Sequence, residues 1–266
     1  MAELEGALLT GALLAGGSVA GFLGGRWLIR RYVESGGSRG ILGPLDFRHG
    51  AKPAAMPPAP AASTHHGKQL PRASTSKLPR RFDWIFEQHR GEIPIEYLRA
   101  LVMSESGMQA GAQSGPGWGL MQVVEVVRRD YNQTQGTRHQ RADLLDPAIN
   151  VAVGVWLLRR IISSYARHHP DSPNLRADWS NPRFVELLTF GWNAGWSEAG
   201  GVGRVARYLE ARGRHDMTID LVHQHAIAAG ASRHLSRADK VAWCKKVVAL
   251  YQTERRMNAA TPATGS

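Results

Sequence analysis

The sequence predicts a mainly α-helical domain over residues 83–258, preceded by two segments that do not read as globular. Three observations lead there. From Phe82 onward, apolar residues recur at helical spacing behind recognisable helix starts, and no run alternates as a strand would. Residues 6–25 are twenty residues without a charge. Residues 35–82 are dominated by Pro, Ala, Gly and Ser and show no apolar period.

The apolar stretch, GALLTGALLAGGSVAGFLGG, is just long enough to cross a bilayer core as a helix. Gly17, Gly21 and Gly25 would line one face of that helix and permit close helix–helix contact. The competing reading is a flexible Gly/Ala leader. A standard secretory signal does not fit, because the amino end is acidic and the basic cluster Arg26, Arg30, Arg31 follows the apolar run. By the positive-inside rule that cluster would hold the rest of the chain in the cytoplasm. Residues 1–34 are therefore expected to be a membrane-associated segment, 35–82 a disordered basic linker, and 259–266 a frayed tail.

The net charge of +11 suggests a nucleic-acid binder until the charge is located. Residues 26–82 carry eleven Lys/Arg against two acids, whereas residues 83–266 carry 22 bases against 18 acids. Most of the excess lies in the linker, which would attract any polyanion or simply stay solvated. Charge does not select nucleic acid as the partner. Cys244 has no second cysteine to pair with, and no Cys/His spacing suits zinc. His65 and His66 stand by themselves, so no metal or cofactor is expected.

Within 83–258 each helix announces itself. Pro94 takes a first helical position before Ile95, Leu98, Leu101 and Val102. Asp146-Pro147 is a cap-and-start pair ahead of Ile149, Val153, Leu157 and Ile161. Asn181-Pro182 repeats that device before Phe184, Leu187 and Leu188. Ser236 with Asp239 reads as a capping box, and Val241, Cys244, Val248 and Tyr251 then form a stripe that makes Cys244 a core thiol.

Glu105 falls on the apolar face of its helix, seven residues after Leu98 and three after Val102. A carboxylate there is costly unless paired or protonated, and desolvation would raise its pKa toward what a general acid needs. Spacing by itself equally allows a helix-end Glu that turns to solvent or pairs with an Arg. The neighbouring residues add weight. VMSESGMQAGAQSGPGWGLMQV (102–123) resembles the first two motifs of the goose-type lysozyme and soluble lytic transglycosylase superfamily. DPAINVAVGVWLL (146–158) is similar to its Asn-Ile-x-x-Gly helix, with Asn150 and Gly154. GWNAG (191–195) resembles its Ala-Tyr-Asn-Ala-Gly motif with Trp192 in place of Tyr, and DKVAWCKKVVALY (239–251) its closing helix, with Trp243 in place of Tyr. Four motifs in order are far more specific than one.

The resemblance implies a lysozyme-like fold, Glu105 as the catalytic acid, and Ser106, Gln122, Trp192, Asn193 and Trp243 as substrate-binding residues. Read physically, Gln122 and Asn193 suit an N-acetyl amide but could cap helices. The tryptophans could stack on sugars or fill the core, and both replacements lose a tyrosine hydroxyl. The loop from Glu105 to Gly119 holds no Asp or Glu to activate water. The implied reaction is therefore cleavage of the β-1,4 bond between N-acetylmuramic acid and N-acetylglucosamine in peptidoglycan, with 1,6-anhydromuramic acid formed and no cofactor. The alternatives are a muramidase hydrolysing the same bond and a non-catalytic wall-binding or membrane-assembly protein. Such an enzyme would work in the cell envelope, on the periplasmic side, or be carried in a phage virion.

Overall fold

The computed structural model describes residues 78–260. The expected membrane segment, nearly all of the linker and residues 261–266 lie outside the described residues. Among the described residues no helix is long and apolar enough to cross a membrane.

Eight α-helices and one small sheet build the domain: α1 (Asp83–His89), α2 (Ile95–Ser106), β1 (Gln113–Ser114), β2 (Gly117–Trp118), β3 (Val123–Val124), α3 (Glu125–Gln135), α4 (Pro147–His168), α5 (Pro182–Ala194), α6 (Val202–Glu210), α7 (Ile219–His225) and α8 (Ala238–Ala259). Short 3₁₀ turns precede α4 and α5 at Ala142–Leu145 and Pro173–Leu175. Helix α8 packs against both α2 and α5, and α4 packs against α1, α3 and α5. Their buried faces meet in one core that contains Leu98, Leu101, Val102, Leu158, Ile161, Leu187, Leu188, Val247 and Val248. Tyr97, Trp179, Phe184 and Tyr251 form an aromatic cluster within it, with Tyr97 edge-on to Tyr251 at a centroid distance of 5.8 Å.

Two predicted helix starts hold as written. Asp146 accepts hydrogen bonds from the Ala148 and Ile149 amides, and Asn181 accepts one from the Arg183 amide. Cys244 is a fully buried core thiol, and burial pushes its pKa up. Three expectations need correction. Pro94 is the residue before α2 rather than its first residue; its ψ of 135° is extended. Ser236 and Asp239 form no capping box: Ser236 donates back to the Arg233 carbonyl, and Asp239 is engaged by the Arg237 guanidinium. A sheet exists where none was expected, with antiparallel strand order β1-β2-β3. Each strand is two residues long, too short for alternation to register in sequence.

The domain also begins before residue 83. The Leu78 amide donates to the Glu254 carboxylate at 2.6 Å, and Leu78 packs on the core. Glu254 is 1% exposed and lies 3.6 Å from the Arg99 guanidinium, which grips Asp83 through two bonds of 2.8 and 2.6 Å. This charge-matched set ties the incoming chain, α1, α2 and α8 together. At the other end of the domain, helix α8 continues to Ala259.

Candidate active site

Helix α2 ends at Ser106, where Gly107 takes the left-handed conformation (φ 61°) and turns the chain away. Glu105 is thus in the last turn of the helix, half-buried. Its Oε1 accepts a hydrogen bond of 2.8 Å from the indole Nε1 of Trp192, 87 residues further along the chain. The replacement of Tyr by Trp therefore does not remove a hydrogen-bonding group from this position. An indole N–H can only donate, so it suits a carboxyl oxygen whatever the charge of the acid.

Asn193 follows Trp192 at the end of α5 and does not cap the helix. Its backbone carbonyl and side-chain Oδ1 both accept from the Lys240 ammonium of α8, the first at 2.9 Å. With Oδ1 held by a cation, the Asn193 amide group turns its two N–H donors elsewhere. Lys240 is only 6% exposed. Lys240 is a site residue that no motif marks. The signal was there: Lys240 precedes Cys244 by four residues and so shares its buried face, and a core-facing ammonium needs oxygen partners.

The glycine-rich loop after α2 is held from below. Asn150 of α4 is 0% exposed; its Oδ1 accepts from the Met121 amide at 2.7 Å, and its Nδ2 donates to the Trp118 and Leu144 carbonyls at 2.7 and 2.8 Å. Gly119 has φ 73°, and a Cβ there would lie 2.2 Å from the Leu144 oxygen. A Cβ on Gly154 would lie 2.3 Å from the Met121 sulfur, so the helix and loop touch because both glycines lack side chains. Leu120 and Met121 are fully buried, as packing residues should be.

The remaining sequence candidates fare differently. Gln122 sits at φ 48°, unusual for a residue with a side chain, and its amide donates to the Ala112 and Gly119 carbonyls at 3.1 and 2.8 Å. Both amide hydrogens are used inside the loop. Gln122 is a brace, and toward a sugar it has only its carbonyl oxygen to offer. Ser106 donates to the Val102 carbonyl one turn back at 3.1 Å, leaving its oxygen as an acceptor. Trp243 is half-buried against the core, one turn beyond Lys240 on the same side of α8. Geometry brings together Glu105, Trp192, Asn193 and Lys240. No cluster of three or more His, Cys, Asp or Glu suited to a metal occurs among the described residues.

Residues 83–211 match the family model of the transglycosylase SLT domain. Among solved structures, the domain is similar to the 70 kDa soluble lytic transglycosylase of Escherichia coli at 18% identity and a TM-score of 0.49, over 71% of this chain and 26% of that one. It is similar to the complex of the 70 kDa enzyme with bulgecin A at 19% identity and a TM-score of 0.47, with the same coverage. An inactive glutamate-to-glutamine mutant of lytic transglycosylase Slt from Pseudomonas aeruginosa is 17% identical over 70% of this chain and 26% of that one, at a TM-score of 0.46. The chain spans about a quarter of the length of these structures. No curated protein matches it.

Proposed function

We propose that the chain is a peptidoglycan lytic transglycosylase in which Glu105 acts first as acid and then as base. The observation that carries this reading is the indole-held Glu105 at the end of α2, inside an SLT domain. The last turn of a helix is its negative end, where a carboxylate is least welcome and a neutral acid is at home. With Oε1 accepting from Trp192, the acidic proton sits on Oε2. That proton passes to the glycosidic oxygen between N-acetylmuramic acid and N-acetylglucosamine as the C1–O bond breaks. The 2-acetamido oxygen of the muramic acid stabilises C1, oriented by the N–H donors that Lys240 leaves outward on Asn193. The Glu105 carboxylate then takes the proton of the sugar's own C6 hydroxyl as O6 bonds to C1, closing the 1,6-anhydro ring. Throughout, the Trp192 N–H keeps the same acceptor, so the acid need not reorient between its two roles.

Residues 106–124 contain no carboxylate that could activate water in place of the C6 hydroxyl. A peptidoglycan substrate would put the enzyme at the cell envelope. Mass spectrometry of muropeptides released from purified sacculi tests the reaction. Products with 1,6-anhydro ends are expected; reducing ends would replace this reading with hydrolysis, and no release would leave a wall-binding protein.

A further inference from the structure

The outer face of α4 carries a feature that the proposed reaction does not use. Trp156, Arg159, Arg160, Ser163, Ser164 and Arg167 step along the chain by three and one in turn, the i, i+3, i+4 pattern of a single stripe along the helix. They line an open groove of about 630 Å³, closed on its other side by Trp196, Ser197 and Glu198. Glu105, Gln122, Trp192 and Asn193 do not line it. Its cations are set in advance: Arg159 donates to the His89 carbonyl at 2.7 Å, and Arg160 pairs with Asp130 at 2.8 Å while lying over the Trp156 ring. Arg167 is exposed and forms no ion pair among the described residues. The facing acid, Glu198, is already engaged by His169 and Arg207, so it does not neutralise the groove. Ser197 is 2% exposed, and its hydroxyl has no hydrogen-bond partner among the described residues. A buried, unsatisfied hydroxyl in a ligand-sized groove is costly unless something fills it.

We propose that this groove binds a short acidic peptide, the stem peptide of peptidoglycan, as a second substrate site apart from the glycan cleft. The inference rests on the transglycosylase reading for the identity of the peptide. The two cationic loci, Arg159 with Arg160 and Arg167, are seven to eight residues apart on a helix, ~10–12 Å. Three residues of extended peptide cover ~10 Å. A peptide with carboxylates at its second and last residues therefore reaches both loci, each received by a guanidinium in the paired geometry that arginine gives carboxylates. Its amides meet Ser163 and Ser164, and its apolar side chains meet Trp156. A duplex of nucleic acid fits less well, because most of the chain's excess positive charge lies in the linker rather than around this groove.

The test compares full-length protein with Arg167→Glu and with Arg159→Gln/Arg167→Gln, all checked for unchanged thermal unfolding. Turnover is measured on intact sacculi and on glycan strands stripped of peptide by an amidase, and binding of a free acidic stem tetrapeptide by calorimetry. The expected result is loss of tetrapeptide binding and a fall of about tenfold or more in turnover on intact sacculi, with turnover on stripped strands unchanged. Equal losses on both substrates, or none on either, would overturn the proposal. So would loss of duplex DNA binding with tetrapeptide binding retained. Failure of wild-type protein to cut stripped strands at all would instead indict the transglycosylase reading, and the tetrapeptide titration would still judge the groove.

Discussion

Helix α2 carries two charged residues that the fold treats in opposite ways. Arg99, in its middle, is matched by opposite charge: Asp83 through two hydrogen bonds and Glu254 at 3.6 Å. Glu105, six residues later, receives a hydrogen bond from the neutral indole of Trp192. A charge matched by countercharge is locked into one protonation state, which suits a group whose work is to hold elements together. A carboxyl held by a neutral donor keeps its geometry whether or not it carries a proton. The difference separates a structural charge from one able to do acid–base chemistry.

The sharpest way to break the comparison is to change each of these two charges in turn. Glu105→Gln should lower turnover on sacculi by ~10²–10⁴-fold or more, the usual worth of general acid catalysis, with thermal unfolding nearly unaltered. Activity within threefold of wild type would remove Glu105 from the mechanism. Arg99→Met should do the reverse: it strands the buried Glu254 and should cost ~3–5 kcal/mol of stability, read by denaturant unfolding, while each folded molecule stays active. Restoring part of that loss with Arg99→Met/Glu254→Met would show that the stranded charge, rather than lost packing, is responsible.

A smaller effect is expected from Trp192→Phe, which keeps a ring and deletes the N–H. A hydrogen bond to a charged group is worth ~1.5–3 kcal/mol, so kcat on sacculi should drop by one to two orders of magnitude, with a changed pH profile. A change confined to KM would return Trp192 to a sugar-stacking role. Lys240→Met should raise KM more than it lowers kcat, since it frees Asn193 to turn its amide, whereas Lys240→Arg should rescue part of the loss. Loss of fold in the Met variant, seen as a collapsed unfolding transition, would make Lys240 a core anchor instead.

The smallest effect concerns a third charged set, at the end of α4. His169 is 1% exposed and sits between Glu210 at 2.8 Å and Glu198 at 2.9 Å. Burial opposes its charge, but the two carboxylates more than offset this and hold its pKa above the ordinary 6.5. Burial likewise raises Glu198, yet the His169 and Arg207 charges hold it below its ordinary 4.5. The stabilisation from His169 is therefore complete below about pH 6.5 and fades as pH rises through its folded value; that from Glu198 is complete above about pH 4.5 and fades as pH falls. Wild type should exceed His169→Gln in Tm by a few degrees between those limits, with the gap narrowing toward alkaline pH. A gap constant from pH 5 to 9 would mean that the cluster does not titrate in this way.

What sequence determined by itself was local. Asp146-Pro147 and Asn181-Pro182 start helices because a side-chain oxygen two or three residues from an amide needs nothing from the rest of the chain. Glu105 on an apolar face and Cys244 in the core follow from helical period for the same reason. The motifs were legible because short spacings survive, and they named Glu105, Trp192 and Asn193 without saying what each touches. Tertiary structure decided that. Whether Trp192 stacks on sugar or donates to Glu105 depends on a partner 87 residues away, and the amide of Asn193 is aimed by a lysine 47 residues away. Gln122 reads as a ligand for an amide until its loop folds and takes both hydrogens for its own carbonyls. Hydrogen-bond donors have no sequence mark that names their acceptors; only the packing of α8 against α2 and α5 brings those atoms within reach.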